Sequence, residues 1–441
     1  MTSYNTVKCL ILFIFFYFAS NPATCSIYEA DLRALLSFQE NIIDPRGALD
    51  SWRYNETVNY CTWKGISCSR RHRTRVVSID LDSQGLLGSL SPHLVTTNHL
   101  QGNIPSDIGF SLPNLKFLGL GGPMPKDLGS LSALWGLTMG SNNIQDDISF
   151  ISSLTNCTNL KSLEISYNFL TGVLPHTIAN LSTHLSLLAM SSNLIHGTIP
   201  SAIGDLTGLS ILVLENNLFS GPIPLSIGGL TKLQEIYLSA NKFTGKLPFS
   251  LGNLTLLNAI YMDINNISGS IPPSLGNCSG LLLLNLSNNN LIGPIPRELL
   301  TLSSISIFLD LSNNNLLGSI PSEVGSLRNL GCLDFSNNRL SGIVPSTISS
   351  CISLQQLYLG GNSFHGEIPQ GLSLLKGLQE LDLSRNNFSG LIPSFLEELS
   401  LEKLNLSFNK LQGPVPVKGF FRMLVQFHLR ITLSYVEAFR S

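Results

Sequence analysis

The sequence predicts an α/β repeat solenoid, with a parallel β-sheet along its concave face and short helical turns along its convex face. Three observations favour this fold. An asparagine recurs at nearly constant spacing, leucines alternate with other residues just before it, and a Gly-x-Ile-Pro segment follows it. The asparagines lie 23 to 25 residues apart, at Asn168, Asn193, Asn217, Asn241, Asn265, Asn289, Asn314, Asn338, Asn362, Asn386 and Asn409.

Each repeat contains one short strand. Leu284 and Leu286 flank Asn285, and this period of two is typical of a strand with its leucines pointing inward. A single unit of this length cannot bury its leucines alone. Successive units therefore stack so that their leucine rows cover one another, and the strands pair in parallel along one face.

The residues after the strand turn the chain back. The side chain of Asn289 offers both a donor and an acceptor, so stacked asparagines can satisfy the backbone groups that the turn leaves unpaired. Gly293 permits a tight bend, and Pro296 begins an extended stretch. Segments such as 274–278 then leave room for about one helical turn on the convex side.

The first 25 residues resemble a secretory signal peptide. The apolar run Cys9–Ala19 has eleven residues, which as a helix reach about 16 Å, roughly half of a bilayer core. We therefore expect cleavage near Cys25, export to the apoplast and no membrane span in the mature chain. Disulfides persist in that compartment, and asparagines in Asn-x-Ser/Thr sequons can receive glycans there.

The segment Leu291–Pro296 resembles the plant-specific class of leucine-rich repeats, and the resemblance covers residues 76–416. It implies a leucine-rich-repeat horseshoe or superhelix. Upstream, Trp52, Cys61, Trp63 and Cys68 resemble the N-terminal cap of plant receptor ectodomains, here residues 26–75. The resemblance implies a disulfide between Cys61 and Cys68.

A segment after Asn142, Ile151–Cys157, resembles the receptor-kinase subfamily that contains immune receptors for bacterial patterns. This resemblance implies extracellular recognition of a peptide or protein ligand, with a leucine-rich-repeat kinase as co-receptor. The full-length family lies in the plasma membrane and carries a serine/threonine kinase. Two alternatives stay open: a secreted inhibitor of microbial cell-wall-degrading enzymes, or a degenerate receptor-kinase fragment without a stable fold.

The repeat pattern breaks twice near its beginning and once at its end. About ten residues are missing between Gln84 and Asn98, and about five are missing around Pro123, so we expect damaged repeats over about 90–125. Residues 417–441 form an atypical tail without the second cysteine pair of the family. The tail is either a makeshift cap on the last coil or a reading frame continued past a lost splice site.

Composition and motifs exclude several functions. The net charge is −2 and no long basic run occurs, so nucleic acid is not an expected partner. Kinase motifs, histidines at metal-ligand spacing and a Ser-His-Asp setting are absent from the sequence. We therefore expect a protein that is not an enzyme and binds no cofactor or metal.

Sequons mark the predicted glycosylation sites. Asn156, Asn180, Asn253 and Asn277 share a phase that places them on the convex side. The other predicted sites are Asn55, Asn266 and Asn387. Asn285 and Asn405 also belong to sequons, but they lie between inward leucines and are expected to stay unmodified.

One outward position on the strands predicts the ligand site. Asp or Asn usually occupies it toward the C-terminal end, whereas three adjacent strands carry Val213, Tyr237 and Tyr261. At ~4.8 Å per strand they form a stripe of roughly 10 Å. The acidic residues Glu215, Glu235 and Asp263 flank the stripe, so a ligand with apolar and basic side chains would suit it. The alternative is that tyrosine here only reflects strand propensity.

Overall fold

A computed structural model describes residues 128–421 with a gap at 142–143. Before residue 128 it describes residues 35–36, 39, 42–44, 47, 49–53, 59–68, 76–79, 87–89, 99–101 and 117–119. The predicted signal segment lies outside the described residues. The chain forms two compact units, Met1–Leu218 and Phe219–Ser441.

Each unit contains a parallel sheet built from one short strand per coil, as the α/β solenoid prediction requires. The first unit contributes Phe117–Gly119, Gly136–Thr138, Ser162–Glu164, Leu187–Ala189 and Ile211–Val213. The second unit contributes Glu235–Tyr237, Ala259–Tyr261, Leu283–Asn285, Phe308–Asp310, Cys332–Asp334, Gln356–Tyr358, Glu380–Asp382 and Lys403–Asn405. The predicted fold class is confirmed.

The register aligns the inward leucines from coil to coil. Leu284 pairs with Leu309, and Leu309 pairs with Leu333. All three are fully buried, while the strand residues beside them are mostly only half-buried. The core is therefore a set of leucine rows that run along the solenoid, each covered by the rows before and after it.

Short helical turns form the convex side, as predicted. The 3₁₀ turns are Leu128–Ser130, Ile148–Asn156, His176–Asn180, Ser201–Asp205, Leu225–Gly229, Phe249–Asn253, Pro273–Asn277, Ser322–Ser326, Ser346–Ser350, Gln370–Leu374 and Ser394–Glu397. One coil has the α-helical turn Arg297–Leu300 instead. Proline precedes most of these turns, because its fixed φ and missing N–H suit the residue before a helix.

A second row of short strands follows the recurring asparagines. Its members are His196–Gly197, Leu218–Pro222, Lys242–Thr244, Ser268–Gly269, Asn290–Gly293, Asn315–Gly318, Arg339–Gly342, Ser363–Gly366, Asn387–Leu391 and Lys410–Gln412. Gly293 has a φ of +82°, which only glycine adopts at low cost, and so permits the bend after its strand.

The coils near the beginning of the solenoid are shortened. Leu87–Ser89 pairs in parallel with His99–Gln101, only 12 residues later, and Phe117–Gly119 pairs with Gly136–Thr138 after 19 residues. Intervals of 23 to 26 residues separate the later paired strands of the concave row. The gaps expected near Asn98 and Pro123 fall within these short intervals, and the remaining residues of this region lie outside the described ones.

Short elements and a disulfide organise the N-terminal region. Its described elements are the strands Ile42–Ile43, Ile66–Cys68 and Val76–Ile79 and the 3₁₀ turn Tyr60–Thr62. Cys61 and Cys68 form the disulfide, with their Cα atoms 5.6 Å apart. The rings of Trp52 and Trp63 stack beside it at 5.5 Å, and Trp52 Nε1 donates to the carbonyl of Lys64.

The first residues of the C-terminal tail pack against the last coils. The backbone amides of Val417 and Lys418 both donate to Oε1 of Glu397, and Phe421 is buried. Residues 422–441, the rest of the tail, lie outside the described part. Within that described part, no helix is long and apolar enough to cross a bilayer.

Candidate functional site

The concave sheet of the second unit carries three aromatic side chains in contact. Tyr237 and Tyr261 are register partners on paired strands, and their rings stack with centroids 5.0 Å apart. Phe308 meets Tyr261 edge to face at 5.8 Å. Stacked and edge-to-face geometries are the favourable ones for aromatic pairs. We call Tyr237, Tyr261 and Phe308 the aromatic platform.

Phe308 was not predicted from the sequence. The predicted stripe follows the outward position after the central inward residue, occupied by Tyr237 and Tyr261, whereas Phe308 lies in the outward position before Leu309. Period two places both positions on the same face, so the signal was present in the pattern. The platform therefore reaches across four strands and is not limited to the predicted stripe.

The platform rings are held by their contacts with one another and by the bond from Tyr237 to Glu235. Ala259 and Leu283 also lie on the outward row, yet only 9% and 6% of their surface is exposed. Both lie in the strands that carry or separate the platform residues, in the same register column as Phe308. Rings fixed in this way lose little conformational entropy when they bind a partner.

Two carboxylates, those of Glu235 and Asp263, border the platform. The hydroxyl of Tyr237 donates to Oε2 of Glu235 at 2.7 Å, and the hydroxyl of Ser239 donates to Oδ1 of Asp263. Each carboxylate keeps a second oxygen that can accept from a ligand. The four predicted residues of the second unit, Glu235, Tyr237, Tyr261 and Asp263, therefore share one face.

The other two predicted ligand-binding residues, Val213 and Glu215, belong to the first unit. Both are half-buried, and Val213 is the last residue of its strand. Ala189 pairs in register with Val213 and is buried. Its methyl group is short enough to be covered by its register partners Glu164 and Val213.

Carboxylates continue along the outward row beyond the platform. Asp310 and Asp334 each accept the backbone amide of the serine two residues later, and burial raises the pKa of both. Glu380 differs because it has cationic and polar partners. Nζ of Lys403 lies 2.9 Å from it and the hydroxyl of Tyr358 2.6 Å, and these bonds lower its pKa.

The structure also places the predicted glycosylation sites. Asn156, Asn180, Asn253 and Asn277 are each the exposed last residue of a convex turn. Asn266 and Asn387 are exposed, and Asn55 lies outside the described residues. Asn285 is half-buried and Asn405 is exposed, and Oδ1 of each accepts from a nearby serine. Modification of these sites stays a prediction.

Three cysteines on the convex side are buried thiols. The Sγ atoms of Cys157, Cys278 and Cys351 each donate to a backbone carbonyl of the preceding coil, and burial raises the pKa of each to about 11. Cys332 lies half-buried on the concave strand that pairs with the strand of Phe308, where burial and nearby carboxylates raise its pKa to about 12. Such thiols stay protonated at neutral pH and react slowly.

Stacked coils with an asparagine ladder, together with a disulfide-linked N-terminal region, define a leucine-rich-repeat protein. The family profile of the leucine rich repeat N-terminal domain matches residues 29–69. Leucine rich repeat profiles match residues 308–364, 159–181, 232–254, 280–302, 377–399 and 400–419.

Two similar solved structures are plant receptors with leucine-rich repeats. The ectodomain of GASSHO1/SCHENGEN3 from Arabidopsis thaliana, solved with CASPARIAN STRIP INTEGRITY FACTOR 2, is 33% identical with a TM-score of 0.64, over 75% of this chain and 44% of that one. The plant peptide hormone receptor RGFR1, solved with RGF2, is 30% identical with a TM-score of 0.60, over 81% of this chain and 69% of that one. The chain therefore belongs to the plant leucine-rich-repeat receptors, which it matches in their ectodomains.

Curated relatives are matched over short segments only. Receptor kinase-like protein Xa21 of Oryza sativa subsp. japonica is 54% identical over 65 residues, which are 15% of this chain and 6% of Xa21. The first three curated relatives are matched over 6% to 14% of their own length.

Proposed function

We propose that the concave face of the second unit recognises an extended peptide, with the aromatic platform as its apolar anchor. The observation that carries this proposal is the contact among Tyr237, Tyr261 and Phe308 on the outward side of the sheet. Clustered aromatic side chains that are already fixed are the usual anchors of interfaces. A structural role alone would not require a fixed aromatic cluster on the outward side of three strands.

The similar receptors support a peptide as the ligand class. RGFR1 is described as a peptide hormone receptor in complex with RGF2, and the GASSHO1/SCHENGEN3 ectodomain was solved with a bound factor. For this chain the bordering carboxylates of Glu235 and Asp263 add a preference for a peptide with basic as well as apolar side chains. Val213 and Glu215 of the first unit stay predicted ligand contacts of that unit.

The setting of this recognition is part of the same proposal. The chain acts outside the cell as a receptor ectodomain of the immune type, works with a leucine-rich-repeat co-receptor kinase, and binds its ligand without catalysing a reaction. The segment Ile151–Cys157 supports a receptor of the immune type. The seven predicted glycosylation sites support an extracellular location.

A displayed library of random dodecapeptides tests the proposal. The library is selected on the full chain expressed by a plant secretory route, and the affinity of synthetic copies is then measured. Replacing Tyr237 and Tyr261 together by alanine is expected to weaken binding at least ~30-fold, since each lost anchor commonly costs about 2 kcal/mol. The melting temperature should change little, because both side chains lie outside the leucine core.

Phe249→Ala is the matched control. Phe249 is an aromatic residue with 65% of its surface exposed, and it begins a convex turn of the same unit. Its loss should leave peptide affinity unchanged. If no peptide is selected, or if the double alanine variant binds as tightly as the wild type, the proposed site is wrong.

A further inference from the structure

The coil of Tyr358 lacks two side chains that its neighbours carry. Gly360 and Gly361 follow the inward residue Leu359, whereas the flanking coils carry serine and then a long polar residue at the same places. These flanking residues are Ser336 and Asn337 on one side and Ser384 and Arg385 on the other. Both glycines line a depression of about 330 Å³ on the concave face.

Polar atoms of the flanking coils face this depression. A Cβ atom on Gly360 would lie 2.8 Å from Oδ1 of Asp382 and 3.1 Å from Oγ of Ser384. A Cβ atom on Gly361, which has a φ of +68°, would collide with Oδ1 of Asn337. The absence of Cβ atoms at both glycines therefore lets these oxygens approach the backbone, and they line the depression together with Arg385 and Asn405.

The carboxylates that line the depression lack cationic partners. Asp334 and Asp382 lie on either side of Tyr358, each one strand away, so about 10 Å separates them. Within the described residues, neither forms a salt bridge; Lys403 pairs with Glu380, and the guanidinium of Arg385 lies 4.9 Å above the ring of Phe408. The acceptor bonds of these carboxylates come from neutral groups: Asp334 accepts from the backbone and side chain of Ser336, and Asp382 accepts from the Ser384 amide and Nδ2 of Asn405.

We propose that this depression binds the ammonium or guanidinium group of a basic side chain in the same peptide that contacts the aromatic platform. The inference rests on the proposed function and adds a second contact to it. A guanidinium group fits because it presents several donors, which one of the carboxylates and the side-chain oxygen of Asn337 can accept. The ring of Tyr358 forms one wall, where a cation is also attracted to the aromatic face.

The geometry fixes the spacing between the two contacts. Four strand steps separate the strand of Tyr261 from the strand of Tyr358, about 19 Å at ~4.8 Å per step. An extended peptide advances about 3.3 Å per residue. The basic residue should therefore lie about six positions from the apolar residue that contacts the platform.

Peptides selected from the random dodecapeptide library provide the test. Each peptide is synthesised with its basic residue as arginine and as citrulline, which keeps the shape and removes the charge. Both copies are titrated against the full chain and against its Asp334→Asn variant. We expect citrulline to weaken binding at least tenfold on the wild type and less than threefold on Asp334→Asn. Gly360→Ser, which restores the serine of the flanking coils, should also remove the arginine preference.

The outcomes separate the two proposals. Two results overturn the cation subsite and leave the platform intact, provided that the selected peptides need Tyr237 and Tyr261. In the first, the peptides bind equally well with arginine and with citrulline. In the second, citrulline weakens binding to Asp334→Asn as much as it weakens binding to the wild type. Peptides that bind independently of the platform overturn the proposed function itself. Asp334→Asn keeps its fold because Asn285 already makes the same backbone contact in another coil, so lost binding cannot be attributed to unfolding.

Discussion

Asn289 shows how a single side chain joins two coils. Its Nδ2 donates to the carbonyl of Met262 in the preceding coil at 2.9 Å and to two carbonyls of its own coil, and its Oδ1 accepts the amide of Ile267 at 3.0 Å. The side chain is 7% exposed. Water cannot replace these bonds, so the position requires a buried group that both donates and accepts.

Asn289→Ala is therefore expected to destabilise the solenoid by about 3 kcal/mol or more, because it leaves several buried backbone groups unpaired. The neighbouring Asn290→Ala is the control, since its side chain is exposed and should cost less than about 0.5 kcal/mol. Urea unfolding of both variants measures the difference. Equal stability of the two would show that the asparagine ladder does not hold the coils together.

Asp334 makes stability depend on pH. Burial raises its pKa, and the charges of Asp310 and Asp382 raise it further. A carboxyl with a higher pKa in the folded state binds its proton more tightly there, so it favours folding at low pH and opposes folding as pH rises through its folded-state pKa.

Asp334→Asn should then raise the melting temperature at pH 7 by about 1–3 °C. The gain should vanish near pH 3, below the ordinary pKa of about 3.9 for aspartate, because both forms are then neutral. Scanning calorimetry at several pH values measures it. A variant that melts lower than the wild type at pH 7 would mean that the Asp334 charge stabilises the fold.

At this scale the sequence predicted the asparagine ladder but only part of the aromatic platform. The ladder follows from the donor and acceptor of one residue type that recurs in every coil. Phe308 was missed because residue type varies from coil to coil at its position, and only the packing of Tyr261 against it reveals the contact. The acidic residues Glu235 and Asp263 were found because charge on an outward position needs no packing information.

At the scale of the element, the turn that leaves each concave strand has a left-handed residue that the sequence did not reveal. The residue before the ladder asparagine has a φ near +52° in most coils, including Ile264 and Asn288. Asparagine tolerates this conformation, whereas a β-branched residue is strained in it. Residue type varies too much at this position for the sequence pattern to show the backbone requirement.

Ile264→Asn should accordingly stabilise the protein by about 1 kcal/mol. Ile264 is 55% exposed, so little apolar packing is lost. The reverse substitution in the next coil, Asn288→Ile, should destabilise by a similar amount. Chemical unfolding of the pair decides the point, and a loss of stability in Ile264→Asn would show that its exposed side chain contributes more than the turn strain costs.

At the scale of the whole molecule, the constant repeat spacing allowed the fold class to be predicted, whereas the division into two compact units has no sign in that spacing. Shortened coils were predicted as well, since missing residues are visible by counting. How their strands pair was not, because pairing of Leu87–Ser89 with His99–Gln101 depends on contacts that repeat counting does not contain.

The shortened coils should be the least stable part of the solenoid, since a coil with fewer ladder partners opens more readily. Amides of Phe117–Gly119 are expected to exchange with deuterium at least tenfold faster than those of Leu283–Asn285. Both are strands of the concave row, so the second is an internal control. Equal protection would mean that the 19-residue interval does not weaken the sheet.

The central claim is that this leucine-rich-repeat chain recognises a peptide on the concave face of its second unit. A crystal structure of the full chain with a peptide selected from the dodecapeptide library measures this most directly. We predict an extended peptide across the concave strands, with an apolar side chain on Tyr237, Tyr261 and Phe308. A peptide bound on the convex turns, or bound on the concave face without contact to these rings, would contradict the account.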